Sequence, residues 1–228
     1  MKLRALLVAA AMGLSAYAGP AVAQIVANVG AVTDYVFRGV SQTNEGGGVQ
    51  GGIDMAFGKA YFGLWLSTVD FNNGTDAEMD MYVGYKPTWM GLSLDIGLVN
   101  YGYMGGGGGG DPTFYEVKLT ATKPVGAATI GAGIYYTTDY AGTGPHDAYY
   151  YEINAAMPVY RDIALSGAIG KQEIQGGVGA YGTWNAGVVW TPTPWMTVDL
   201  RYHDTDEHTL GATYEARYVA GVKFTHNF

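Results

Sequence analysis

The chain has no cysteine, so neither a disulfide framework nor a thiolate metal site is available to it. Charged residues make up only 14%, far from the Glu- and Lys-rich mix of a helical bundle. Beyond position 23 no stretch approaches the roughly 20 apolar residues that a membrane-spanning helix requires. Phosphate loops are missing as well: Gly46-Gly47-Gly48 and the run Gly105 to Gly110 lack a following Lys-Ser/Thr and a helix to hold an anion. The formal net charge of -8 argues against nucleic acid as a partner.

What is abundant points to strands and turns. Nineteen tyrosines, five tryptophans, seven phenylalanines and 36 glycines accompany the low charge, a composition suited to pleated, aromatic-rich walls. Near the N-terminus, Lys2 and Arg4 precede the apolar run Leu6 to Leu14 and the small residues Ala21-Val22-Ala23. That order reads as a secretory signal cleaved after Ala23, with a run too short to span a bilayer. The expected domains are thus a signal peptide over 1–23 and one unit over 24–228. Losing Lys2 and Arg4 would take the formal charge from -8 to -10.

Period-two alternation recurs along the whole of that unit. In the last segment Tyr214, Ala216, Tyr218, Ala220, Val222, Phe224 and Phe228 share one face, and Glu215, Arg217, Lys223 and Asn227 the other. Between Glu78 and Lys86, the face of Met79, Met81, Val83 and Tyr85 opposes that of Glu78, Asp80, Tyr82, Gly84 and Lys86. A soluble sandwich would alternate too, but the breaks decide between them. Long breaks near 41–48, 72–77, 104–112, 139–147, 172–180 and 204–212 alternate with short ones at Gly58-Lys59, Pro87 to Gly91, Pro124 to Gly126, Pro158 to Arg161 and Pro192 to Pro194. Eleven connections of this pattern predict about twelve strands in an antiparallel up-and-down transmembrane β-barrel, with long extracellular loops and short periplasmic turns. Twelve strands of about 9 to 11 residues need roughly 110 to 130 residues, which leaves no room for a second domain.

Aromatic residues fall near both sets of breaks. Phe57, Tyr61, Trp89, Tyr160, Trp190 and Trp195 mark the tight-turn ends, and Tyr101, Tyr103, Tyr136, Tyr140, Tyr149 and Tyr151 the long-loop ends. They are expected to form two interfacial girdles. The chain closes on Val222-Lys223-Phe224-Thr225-His226-Asn227-Phe228, and this ending resembles the terminal strand by which outer-membrane barrels are recognised. Phe228 is therefore expected to act as a signal for the barrel assembly machinery.

The stretch Asp34-Tyr35-Val36-Phe37-Arg38-Gly39-Val40-Ser41-Gln42-Thr43 resembles the opening of the TorF-type porins, proteobacterial outer-membrane proteins of unknown substrate. The similarity continues through Val49 to Asp54, Val69-Asp70-Phe71, Tyr149 to Tyr151 and Tyr202 to Asp206. It implies a barrel in the outer membrane of a Gram-negative bacterium, in contact with its lipid, and implies no catalytic residue.

Charges on the polar faces would be costly in lipid and are expected to line the interior. They are Asp34, Arg38, Asp54, Glu78, Asp80, Lys86, Asp95, Glu116, Lys118, Glu152, Asp199, Arg201, Glu215, Arg217 and Lys223, nine acids and six bases. The leading expectation is a passive channel, a porin for small hydrophilic solutes or ions, with no cofactor and no chemistry. A sealed structural or surface-interaction barrel is the alternative, and a hydrolase at the rim the third reading. The cluster His203, Asp204, Asp206, Glu207 and His208 has metal-compatible side chains, but such residues are ordinary in a solvated acidic loop and a mobile tip makes a poor cage, so no metal site is expected there.

Overall fold

A computed structural model describes residues 24–106, 113–140, 146–176 and 179–228. The proposed signal segment, with Lys2, Arg4 and Ala23, lies outside the described residues, as does most of the Gly105 to Gly110 run.

Twelve long strands form the wall: β1 Gln24–Val32, β2 Gly48–Phe57, β3 Ala60–Thr68, β4 Thr75–Tyr85, β5 Leu92–Gly105, β6 Phe114–Val125, β7 Ala128–Thr137, β8 Ala148–Tyr160, β9 Ile163–Ile174, β10 Gly179–Thr193, β11 Met196–Thr205 and β12 Arg217–Asn227. Each pairs antiparallel with its sequence neighbours, and β1 pairs with β12 from Val26↔Asn227 to Val32↔Gly221, which closes the barrel. Closure satisfies every strand's backbone donors and acceptors laterally, the condition for crossing lipid without helices. Among the described residues no helix is long and apolar enough to cross a membrane.

The side-chain period sorts the residues onto two surfaces. Val49, Ile53 and Phe57 point out from β2, Phe62 and Leu66 from β3, Met81 and Val83 from β4, and Val117 and Leu119 from β6, all of them exposed. On the opposite face Asp54, Ser67, Glu78, Asp80, Glu116, Gln172 and Arg201 are buried. A water-soluble fold places these two classes the other way round, whereas an apolar band facing lipid around a polar interior is the arrangement of a membrane barrel.

The glycines inside the strands make room for rings. Tyr61 on β3 lies opposite Gly84 on β4, and Tyr82 on β4 opposite Gly63 on β3. A methyl group at Gly63 would come within 2.2 Å of the Tyr82 ring, and one at Gly84 within 2.3 Å of the Tyr61 hydroxyl. Gly170 stands in the same relation to Tyr150, at 2.3 Å. Each ring thus lies across a bare stretch of neighbouring backbone, filling the space the missing side chain leaves.

Several expectations need correction. Prolines 124, 158 and 192 lie within strand ends rather than in turns; the register shifts between Pro158 and Tyr160, and again between Trp190 and Thr193. Proline has no N–H for the ladder, so it is tolerated at such ends and irregularities. Tyr61 and Tyr101 are 4% and 2% exposed and, with Tyr103 and Tyr140, pack in the interior instead of a girdle. The lower belt retains Phe57, Trp89, Tyr160, Trp190 and Trp195, all exposed. Glu215 is not on a strand: β12 begins at Arg217, and residues Ala212–Tyr214 form a 3-10 turn before it.

Candidate functional site

β1 ends at Val32, and the chain then turns into the barrel. Val36–Phe37 and Val40–Ser41 form a short hairpin with pairs Val36↔Ser41 and Phe37↔Val40. Its two tip residues have positive φ, 49° at Arg38 and 83° at Gly39, as a two-residue hairpin with matching twist requires. Glycine adopts that conformation freely. Arg38 holds it at a cost on the order of 1 kcal/mol, which other contacts must offset.

Those contacts come from the far wall. The Arg38 guanidinium donates through Nη2 to both oxygens of Glu116 on β6, at 2.6 and 2.7 Å, and through Nη1 to Gln172 on β9 at 3.1 Å. It also lies over the rings of Tyr135 on β7 and Tyr150 on β8, 5.1 and 4.5 Å from their centroids. Gly39 abuts Thr183 on β10 and Thr205 on β11 so closely that a Cβ would stand 2.5 Å from the Thr183 hydroxyl. The hairpin therefore crosses the lumen from its root beside β1 and β2. Arg38, which alternation alone puts on the strand wall, is carried instead on this inserted tip.

The root is tied down as firmly. Asp34 accepts a bond from Ser41 Oγ at 2.7 Å through Oδ1 and from Arg217 Nη1 at 2.8 Å through Oδ2. The Tyr35 N–H donates to Thr43 Oγ1 at 3.0 Å, and the Gln42 N–H to the Tyr35 carbonyl at 2.6 Å. Arg38 and Glu116 are 5% and 1% exposed, so their attraction is little screened and removal of either would strand the other.

The other charges fall into local groups on the wall. Asp95 accepts from Tyr61 at 2.6 Å and Lys118 at 3.0 Å, with Lys86 at 4.0 Å. Asp54 accepts from Tyr82 at 2.5 Å. Glu152 accepts from Tyr150 at 3.1 Å and Asn154 at 2.9 Å. Arg201 spans Asp199, Asn185 and Ser166 at 2.7 to 2.8 Å. Lys223 joins no ion pair among the described residues and is exposed. With Glu215 removed to an exposed turn, the interior set becomes Asp34, Asp54, Glu78, Asp80, Asp95, Glu116, Glu152 and Asp199 against Arg38, Lys86, Lys118, Arg201, Arg217 and Lys223.

Glu78 and Asp80 stand apart. Tyr103 donates to Glu78 Oε1 at 3.1 Å, but Glu78 Oε2 and both Asp80 oxygens are buried without a hydrogen-bond partner among the described residues. A buried carboxylate left so costs stability that a neutral amide does not. Asp80→Asn is accordingly expected to raise barrel stability, seen as a higher midpoint for the loss of the compact gel band on heating at pH 9. A lower midpoint would mean that the charge of Asp80 is compensated.

The His203 to His208 cluster does not converge as a set, though Asp204 and His208 meet. Asp204 bonds Tyr202 at 2.7 Å and His208 at 2.8 Å, while Asp206 accepts from the Gly182 N–H at 2.6 Å. The Asp204 hydrogen bond holds His208 above the ordinary imidazole range. No group of three or more metal-binding side chains converges among the described residues.

A closed barrel with an even number of strands, an apolar exterior, a polar interior and long loops on one rim is an outer-membrane-type β-barrel. Solved structures agree. The NanC porin superposes with a TM-score of 0.60 at 10% identity, over 87% of this chain and 98% of that one. An outer membrane channel from Pseudomonas putida F1 superposes with a TM-score of 0.53 at 9% identity, over 92% and 97%. At such identities the likeness is one of fold. Residues 17–227 match the family described as bacterial protein of unknown function (Gcw_chp), and the chain belongs to it. That description does not carry the TorF name. A comparison with curated proteins finds no match.

Proposed function

We propose that the protein is a constricted outer-membrane channel through which small hydrophilic solutes or ions pass in contact with the charged interior. The observation that carries this reading is the inserted hairpin: a peptide segment held across the lumen by a buried ion pair narrows a path that would otherwise be wide for a twelve-stranded wall. The pairing of most wall charges supports a path lined by both signs. The same hairpin also favours a second reading, a barrel that never conducts and whose loops meet partners at the surface.

The interior set holds eight acids and six bases, so with every group ionised, the buried Glu78 and Asp80 included, its formal charge is negative by two. In a narrow tube of low dielectric such an excess attracts cations. Reversal potentials of the refolded protein across a salt gradient are expected to show modest cation preference. It should fade as the screening length falls from about 10 Å at 0.1 M salt to about 3 Å at 1 M. Anion preference at low salt would overturn this charge map, and no conductance under any condition would favour the sealed barrel.

Assembly is proposed to depend on the last residue. The Phe228 N–H donates to the Ile25 carbonyl at 3.0 Å, the residue is 75% exposed and its ring meets that of His226, so deletion removes little from the folded barrel beyond one backbone bond and that ring contact. Deleting Phe228 is expected to lower the assembled barrel several-fold while export continues, measured by outer-membrane fractionation. Undiminished assembly would remove the role in recognition.

A further inference from the structure

On the long-loop side of the hairpin lies a cavity of about 420 Å³, inside the range of about 300 to 1,000 Å³ usual for small-molecule sites. Its inner boundary includes Phe37 and Val40 of the hairpin, and Tyr103 and Phe114 line it from β5 and β6. The loop between β3 and β4 contributes Asp70, Phe71, Asn72 and Asn73, and the first loop contributes Gln42 and Asn44. Phe71 and Tyr103 meet at a tilt of 58° with centroids 5.4 Å apart.

The chemistry of this lining is selective. Aromatic faces provide flat, weakly negative surfaces suited to polarised C–H groups. Around them stand carboxamides, each with both donors and acceptors. Asn44 and Asn72 are exposed, and the one bond between them is long, 3.4 Å. Among the described residues no lysine or arginine lines the cavity: Arg38 is engaged by Glu116 and Gln172. Asp70 is the one formal charge that the described residues bring to it. An acidic ligand would find no counter-ion there, and a purely apolar one would leave the amides unpaired on binding.

We infer that this outer vestibule binds a neutral saccharide of one or two rings, whose C–H face lies on the aromatic residues and whose hydroxyls bond the asparagines and Asp70. Binding at this mouth does not depend on passage beyond Arg38, so it holds whether or not the barrel conducts.

The test is saturation-transfer NMR and titration calorimetry on the refolded full barrel in lauryldimethylamine oxide, which has no sugar headgroup. The probes are glucose, N-acetylglucosamine, maltose and glucuronate. At least one neutral sugar is expected to bind saturably, and glucuronate at least tenfold more weakly. Phe71→Ala and Asn72→Ala, both in the loop rather than the wall, are each expected to weaken that binding at least tenfold while the barrel keeps its heat-modifiable mobility. Failure of all three neutral sugars to bind would overturn the inference. So would equal affinity for glucuronate, or unchanged affinity in both folded variants.

Discussion

Glu116→Gln is expected to raise single-channel conductance in planar bilayers at least threefold over the unmodified barrel. The substitution keeps the shape of the side chain and removes the charge that holds Arg38 across the lumen, where the two groups are 5% and 1% exposed. Breaking a buried pair on one side costs about 3–5 kcal/mol, because the remaining ion stays desolvated. At about 1.4 kcal/mol per tenfold, that shifts the balance between inserted and withdrawn hairpin by roughly a hundredfold or more. The strained φ of Arg38, 49°, favours withdrawal once the pair is gone. Arg38→Ala is expected to act in the same direction. Glu173→Gln, which breaks the exposed Lys171–Glu173 pair at 2.6 Å, should leave conductance unchanged, since such a pair contributes little. Equal conductance in all four proteins would show that the hairpin does not gate the path.

The second large effect concerns assembly of the wall. Gly84→Val is expected to reduce the folded, heat-modifiable fraction at least tenfold, because even a Cβ would stand 2.3 Å from the Tyr61 hydroxyl. Tyr61 cannot easily yield, being 4% exposed and bonded to Asp95 at 2.6 Å. Overpacking by one methylene typically costs about 1–3 kcal/mol, and a branched group exceeds that. If the clash is the cause, Tyr61→Ala in the same chain should restore most of the folded fraction despite losing its own hydrogen bond. The two substitutions would then be strongly non-additive. A double variant as defective as Gly84→Val alone would place the harm in the lost curvature of the strand instead.

The residues differ in how plainly their positions can be read from the chain. Met79, Met81 and Val83 against Glu78, Asp80 and Tyr82 follow a period of two, and a transmembrane wall obeys that period because each face meets a different medium. Loops obey no such period, which is why alternation misplaces Arg38 on the wall. One local signal is present: Val36-Phe37-Arg38-Gly39-Val40-Ser41 is a pair of β-rich dipeptides around a residue followed by glycine, a composition suited to a two-residue turn. Nothing local tells whether that turn faces solvent or the barrel. Glu215 falls to the same limit, since alternation continues by chance into a 3-10 turn. Tyr61 and Tyr101 look like girdle residues from their place near the strand ends, but the girdle requires the outward face, and both have the inward parity of their strands.

The closed antiparallel wall, its strand number and the rim that bears the long loops are legible along the chain, because alternation, turn spacing and a scarcity of charge are one-dimensional patterns. What crosses the lumen, and which wall charges meet there, follows only from the folded circle of strands. Arg38 meets a glutamate 78 residues away and a glutamine 134 residues away, and such a meeting depends on which strands the closed circle sets opposite one another. The vestibule over the hairpin has the same origin, since its aromatic and amide residues come from separate loops and strands that only the barrel brings to one mouth.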